Sequence, residues 1–130
     1  MSEVLFISRE QVELIHDASI ERFGGIRGLR DEGLLESALG QALATFYYGQ
    51  GDVFDIAAAY AFHIAQNQPF LDGNKRAALL TALDFLAVNG KPITQPSVEF
   101  YDAMIAIAER RMNKNDLAAL FRRLANEAKI

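Results

Sequence analysis

Five consecutive residues, Asp72-Gly73-Asn74-Lys75-Arg76, set a carboxylate, a glycine, an amide and two cations directly before a long apolar-periodic segment. Such a run can hold phosphate. Glycine allows a close backbone approach that a Cβ would hinder. The free N–H groups at the start of the following helix, with its dipole, attract an anion. Lys75 adds a mobile point charge and Arg76 a planar fork. Asp72 beside a bound phosphate is a natural magnesium ligand, because Mg²⁺ usually takes one or two carboxylates together with phosphate oxygens. The same residues also read as an ordinary turn and cap with a solvated first turn. Spacing alone leaves both readings open.

The elements that must position this run are helical. Ser8-Arg9-Glu10-Gln11 has the form of a capping box ahead of a segment with Val12, Ile15 and Ser19 on one face, which Gly24-Gly25 stops. Asp31 can cap a second helix carrying Leu34, Leu35, Ala38, Leu39 and Leu43. Gly49-Gln50-Gly51-Asp52 breaks the chain before a third helix, from about Val53 to Gln66, rich in alanine. Small residues on most of its faces suit a central helix closely surrounded by others. The fourth, from about Asn74 to Val88, is apolar nearly all round and ends at Asn89-Gly90, with Pro92 beyond. Ser97-Val98-Glu99-Phe100 opens a fifth with Phe100, Met104, Ile107 and Ala108 as its stripe. A sixth begins near Asn115 and buries Leu117, Leu120, Phe121 and Leu124. Val4-Leu5-Phe6-Ile7 is either a short strand or an N-terminal staple. The fold expected is all-α: one domain over residues 1–130, a compact bundle of about six helices around two buried central ones.

Composition narrows the function classes. With 51% apolar and 23% charged residues, the chain is far from the disordered class. No apolar run approaches the roughly 18–20 residues that span a bilayer, and the first residues lack the pattern of a secretion signal. The absence of cysteine excludes disulfides and thiolate metal sites, and fits a reducing cytoplasm. A net charge of −4, from 13 basic against 17 acidic residues, argues against general nucleic-acid binding. The segment from Glu109 to Lys129 runs the other way, with Arg110, Arg111, Lys114, Arg122, Arg123 and Lys129 in excess. Basic residues at helix ends satisfy the helix dipole, and this reading is preferred to an acidic partner.

Gln68-Pro69-Phe70-Leu71-Asp72-Gly73-Asn74-Lys75-Arg76 closely resembles the signature of the Fic/Doc family, His-Pro-Phe-x-Asp-Gly-Asn-x-Arg. Lys75 stands where Fic adenylyltransferases have a second glycine, which resembles the Doc (death-on-curing) branch. Leu79 stands where those adenylyltransferases have a further arginine. Phe23-Gly24-Gly25, then Gly28-Leu29-Arg30-Asp31-Glu32-Gly33-Leu34-Leu35-Glu36-Ser37-Ala38, and Asp84-Phe85-Leu86-Ala87-Val88-Asn89-Gly90 extend the similarity over essentially the whole chain. The resemblance implies a small, mainly helical, cytoplasmic toxin of a toxin–antitoxin pair. It implies transfer of the γ-phosphate of ATP, with Mg²⁺, to a hydroxyl of elongation factor Tu. Site residues carried over are position 68, Asp72 and Arg76 for catalysis, Phe70, Gly73, Asn74, Lys75 and Arg76 for the nucleotide, and Asp72 for the metal. The antitoxin would bind through a disordered segment that folds in an exposed apolar groove. Phe46-Tyr47-Tyr48 is one candidate wall for that groove or for an acceptor-docking flap, although such a cluster is more often core. The alternatives are adenylyl transfer, as in Fic relatives, and a non-catalytic module that keeps partner binding.

Position 68 departs from the pattern. In the family its histidine takes the proton of the acceptor hydroxyl, a task suited to a pKa near neutrality. Gln68 has no accessible basic pKa, so strongly reduced transfer with surviving nucleotide binding is expected. A substitution introduced to disarm a toxin, a naturally silenced member and a different chemistry each accommodate it. Neither remaining histidine replaces it on this reading: His63 is expected to be a packed, hydrogen-bonded structural residue, and His16 a surface residue remote from the motif. Asp72 is a conceivable substitute base, but metal ligation would lower its basicity.

Overall fold

Ser8 starts the first helix by the reciprocal bonding that its sequence predicts. Its Oγ accepts from Gln11 N at 3.2 Å while Gln11 Oε1 accepts from Ser8 N at 2.8 Å. The computed structural model describes residues 3–94 and 97–127. These form α1 (Arg9–Phe23), α2 (Glu32–Tyr47), α3 (Val53–Asn67), α4 (Asn74–Val88), α5 (Val98–Ala108) and α6 (Lys114–Glu127), with no strand among the described residues. Asp31 caps α2 by accepting from Leu34 N at 2.9 Å, and Ser97 caps α5 by accepting from Glu99 N at 3.1 Å. Asp52 and Asp55 make a second capping box at the start of α3, which the sequence reading passed over as a chain break. Each such cap is worth about 1 kcal/mol.

Helix α3 is the axis of the molecule and packs against α2, α4, α5 and α6. Nine of its residues are buried, from Phe54 and Ile56 through Ala61 to Ile64 and Ala65. Its alanines let the neighbouring helices approach closely. Helix α4 lies against it and buries Ala77, Ala78, Thr81, Ala82, Phe85 and Leu86. These are the two buried central helices. Phe85 is fully buried, with the rings of Tyr60 and Phe6 at 5.3 and 6.3 Å. Burying a side chain of this size contributes roughly 1.5–3 kcal/mol.

The N-terminal segment is a staple rather than a strand. Ile7 and Val12, both buried, occupy the positions that flank the α1 cap. The Tyr60 hydroxyl accepts from Ile7 N at 2.9 Å and donates to Ile7 O at 3.2 Å. Burial of this pair pushes the Tyr60 phenol up to about 12.

Two expected core positions are exposed. Ala108 is the last residue of α5, where the stripe of Phe100, Met104 and Ile107 has run past its partners. Leu43 keeps 39% of its surface while Ala42 turns inward. The basic excess near the C-terminus is largely engaged within the fold. Arg111 pairs with Glu109 at 2.6 Å, Arg122 with Asp52 at 2.8 Å, and Arg123 with Glu99; Lys129 lies outside the described residues. No helix of the described residues is long and apolar enough to cross a membrane.

His63, half-buried on α3, accepts from Lys114 Nζ at 3.0 Å. Burial first, and the Lys114 charge second, lower its pKa from 6.5 to about 4. The unfolded chain therefore binds a proton that the fold refuses between those values. Stability is complete above about pH 6.5 and falls as pH drops toward 4. Discounted for the solvent screening of a half-exposed ring, the loss is on the order of 1–2 kcal/mol. Urea unfolding at pH 7 and 4.5 should show His63→Gln losing less stability than the parent by that amount.

Candidate active site

Helix α3 ends at Gln68, whose backbone is left-handed at φ 49° and ψ 58°. A non-glycine residue there needs support. It comes from Arg30, whose Nε donates to Gln68 O at 2.8 Å and whose guanidinium donates to Asn67 O at 3.0 Å. A guanidinium at a helix C-terminus meets both the free carbonyls and the dipole. The backbone then doubles the contact. Pro69 O accepts from Arg30 N at 2.7 Å and Asp31 N at 3.0 Å, and Leu71 N donates to Gly28 O at 3.0 Å. Leu29 and Phe70 form an isolated antiparallel bridge. The segment from Gly24 to Asp31 thus lies along the motif as a clasp.

Gly73, at φ 72°, turns the chain into α4, and no side chain caps that helix. Asn74 reaches back instead, accepting from Phe70 N at 2.9 Å and donating to Phe70 O at 3.0 Å. Its amide closes the loop on itself. No side chain caps the first-turn N–H groups of α4 at the motif, so they can attract an anion.

Asp72 is exposed and doubly tethered, with Oδ2 accepting from Ile26 N at 3.1 Å and Oδ1 from Gly73 N at 2.8 Å. The Ile26 N–H chiefly, then the Gly73 N–H and the charge of Arg76, hold this carboxyl below the usual carboxylate range. It is ionised at neutral pH. Each oxygen accepts one N–H and keeps a lone pair free, so the carboxylate fits a magnesium ion. No cluster of three or more His, Cys, Asp or Glu side chains that could hold a metal occurs among the described residues.

Lys75 is exposed in the first turn of α4. Arg76 donates to Gly24 O at 2.8 Å and lies 5.5 Å from the centre of the Phe23 ring, while its Nε is buried without a protein partner. Asp72 through Arg76, with Leu79, line one side of a cleft of about 450 Å³. Ser97, Phe100, Tyr101, Met104 and Ile105 line the other. Size, an apolar wall and a polar end suit a phosphorylated small molecule.

The structure brings Asp72, Gly73, Asn74, Lys75 and Arg76 to this cleft. Phe70 lies beneath it at 2% exposure, shaping the loop from inside. Gln68 sits at the far end of the loop with its side chain exposed. His63 faces Lys114 on α6. The Phe46-Tyr47-Tyr48 cluster is divided: Phe46 and Tyr47 pack on Phe6, and Tyr48 is 88% exposed.

His16 corrects the sequence reading most sharply. Expected on the surface and away from the motif, it is 1% exposed, stacks on Phe70 at 3.8 Å and 5°, and bonds Asp72 O at 2.7 Å. The signal was the spacing of Val12, His16 and Ser19, which places all three on the buried face of α1. Arg30 was also missed as a support, because its partners lie 37 and 38 residues away.

Comparison with known proteins agrees with this geometry. The Fic/DOC family profile matches residues 6–86. The chain is 36% identical over 123 residues to the protein kinase doc of Escherichia phage P1, covering 94% of this chain and 97% of that one. It is 36% identical over 104 residues to the toxin Doc of Mycolicibacterium smegmatis, covering 75% and 78%. With its loop closed by Asn74 and clasped by the segment after α1, the chain belongs to the Fic/DOC family.

Proposed function

We propose that the chain is a Doc-type toxin scaffold that binds ATP with Mg²⁺ in the cleft between α4 and α5. In this reading it transfers the γ-phosphate to a hydroxyl of a translation factor, elongation factor Tu by family resemblance. The observation that carries it is the pairing of an ionised, tethered Asp72 with the uncapped start of α4, flanked by Lys75 and Arg76. Resemblance to a protein kinase favours phosphoryl over adenylyl transfer. So do Lys75 and Leu79, at positions where adenylyltransferases differ. The apolar wall of Phe100, Tyr101 and Met104 offers the nucleoside a surface.

In the transfer, the acceptor oxygen bonds to the γ-phosphorus, the bond to the β-phosphate oxygen breaks and ADP leaves. With no base at position 68, the hydroxyl proton leaves to solvent water. Asp72 would hold the metal, and Mg²⁺ when bound would supply charge neutralisation on the phosphates. Lys75, Arg76 and the α4 N–H groups bind and orient the polyphosphate. Gln68 cannot accept the proton, so turnover is weak while binding persists. The cellular setting in this reading is the cytoplasm, with an antitoxin whose disordered segment folds on the toxin.

Lys75→Ala tests the binding step. ATP with Mg²⁺ at about 100 times Kd should stabilise the parent by about 2.7 kcal/mol, seen as a rise of several degrees in Tm, and the variant should lose most of that rise. Gln68 itself favours a second reading, a module that binds partners without catalysis. An absent nucleotide effect with unchanged antitoxin-peptide binding in both proteins would select it. Label from α-labelled but not γ-labelled ATP would select adenylyl transfer.

A further inference from the structure

His16 has no part in the transfer just described, yet it lies under the centre of the site. Its ring stacks parallel on Phe70, and its Nε2 is 2.7 Å from Asp72 O. A carbonyl only accepts, so Nε2 carries the proton and donates. Nδ1 lies 3.9 Å from Asp17 Oδ1.

That bond fixes more than one atom. The peptide between Asp72 and Gly73 is planar and trans, so its C=O and N–H point in opposite directions. With the carbonyl drawn inward to His16, the Gly73 N–H faces outward, where Asp72 Oδ1 accepts it at 2.8 Å. Glycine tolerates either orientation of this peptide. A flip would turn a carbonyl oxygen to the outer side of the loop, beside the anion site. It would also release the Asp72 carboxylate from one of its two tethers.

We propose that His16 is a positioning residue that locks the Asp72–Gly73 peptide in the orientation the anion site requires. The consequence for nucleotide affinity rests on the function proposed above; the lock itself does not. Space agrees with the assignment, since a Cβ on Gly73 would stand 3.7 Å from His16 Nε2 and 3.1 Å from Ile20 Cδ1. A side chain here would press on Ile20 and sit at a left-handed φ of 72°, so glycine suits the close approach of the loop to α1.

Three measurements on the full chain test this. Ring ¹⁵N shifts of the parent should show the Nε2–H tautomer, and an Nδ1–H tautomer overturns the proposal without any variant. His16→Gln places an amide nitrogen near the position of Nε2 and should keep the Gly73 and Asn74 amide resonances single. His16→Phe keeps a buried ring without a donor and should split or broaden them. Calorimetry with ATP and Mg²⁺ should then give about tenfold weaker binding for His16→Phe, equivalent to about 1.4 kcal/mol, and nearly unchanged binding for His16→Gln. A folded His16→Phe protein with unaltered loop resonances, or a His16→Gln protein as perturbed as His16→Phe, overturns the lock. If the parent binds no nucleotide, the ATP reading falls and the spectra still decide the role of His16.

Discussion

Gln68→His is expected to raise phosphate transfer from γ-labelled ATP to elongation factor Tu by about 10²–10⁴-fold, the range that a positioned general base contributes. The backbone at 68 is ready for the change. Its left-handed φ of 49° is a conformation in which histidine is enriched several-fold over most residues. Arg30 holds the carbonyls of Asn67 and Gln68 rather than the side chain. The substitution should therefore leave Tm nearly unchanged while activity rises. Nucleotide affinity should also stay close to the parent value, because the groups proposed to meet phosphate lie four to eight residues further on. Equal transfer by the two forms would show that residue 68 is not the base position. Purified elongation factor Tu, labelled ATP and both proteins side by side suffice for the measurement.

Gly25→Ala should be the most damaging small change outside the motif. Gly25 has φ 120°, a region closed to residues with a side chain. An added Cβ would stand 2.9 Å from Asp72 Oδ2 and 2.9 Å from Ile20 Cδ1. Backbone strain of about 1–3 kcal/mol and overpacking of similar size combine to a loss of roughly 2–6 kcal/mol. Denaturant unfolding should register it as a lower midpoint with an unchanged slope. The clash falls on the carboxylate assigned to magnesium, so the ATP-dependent rise in Tm should shrink as well. Gly24→Ala is the control: it removes a glycine at φ 87° but brings no atom within 4 Å of the new Cβ. It should destabilise while sparing nucleotide binding.

The helices were legible because their signals are local. Asn74 to Val88, read from apolar density and the Asn89-Gly90 stop, is α4 residue for residue. Ser8, Asp31 and Ser97 cap the helices they were expected to cap. The motif's grouping of Gly73, Lys75 and Arg76 at one cleft was legible too, since a helix start and its cations adjoin in sequence. What stayed hidden depends on distant chain. His16 meets Asp72 across 56 residues, and a histidine beside Asp17 looks like a surface pair until the loop is laid on it. The bonds of the Asn74 amide to Phe70 were not legible either, because nothing in the spacing reveals which way a short side chain turns. Arg30 read as one charge among many, and only the end of α3 gives it an office.

The clasp from Gly24 to Asp31 is bound almost wholly to the motif: Gly24 to Arg76, Ile26 to Asp72, Gly28 to Leu71 and Arg30 to the end of α3. Its residues Gly24 to Arg27 are exposed and add little to the core. Bound so to one another, clasp and motif are expected to open together as one local unit before the bundle unfolds. Linkage makes the effect reciprocal. A ligand that holds the motif in place should tighten an exposed surface loop, and a partner that grips that loop from outside should set the ligand's affinity.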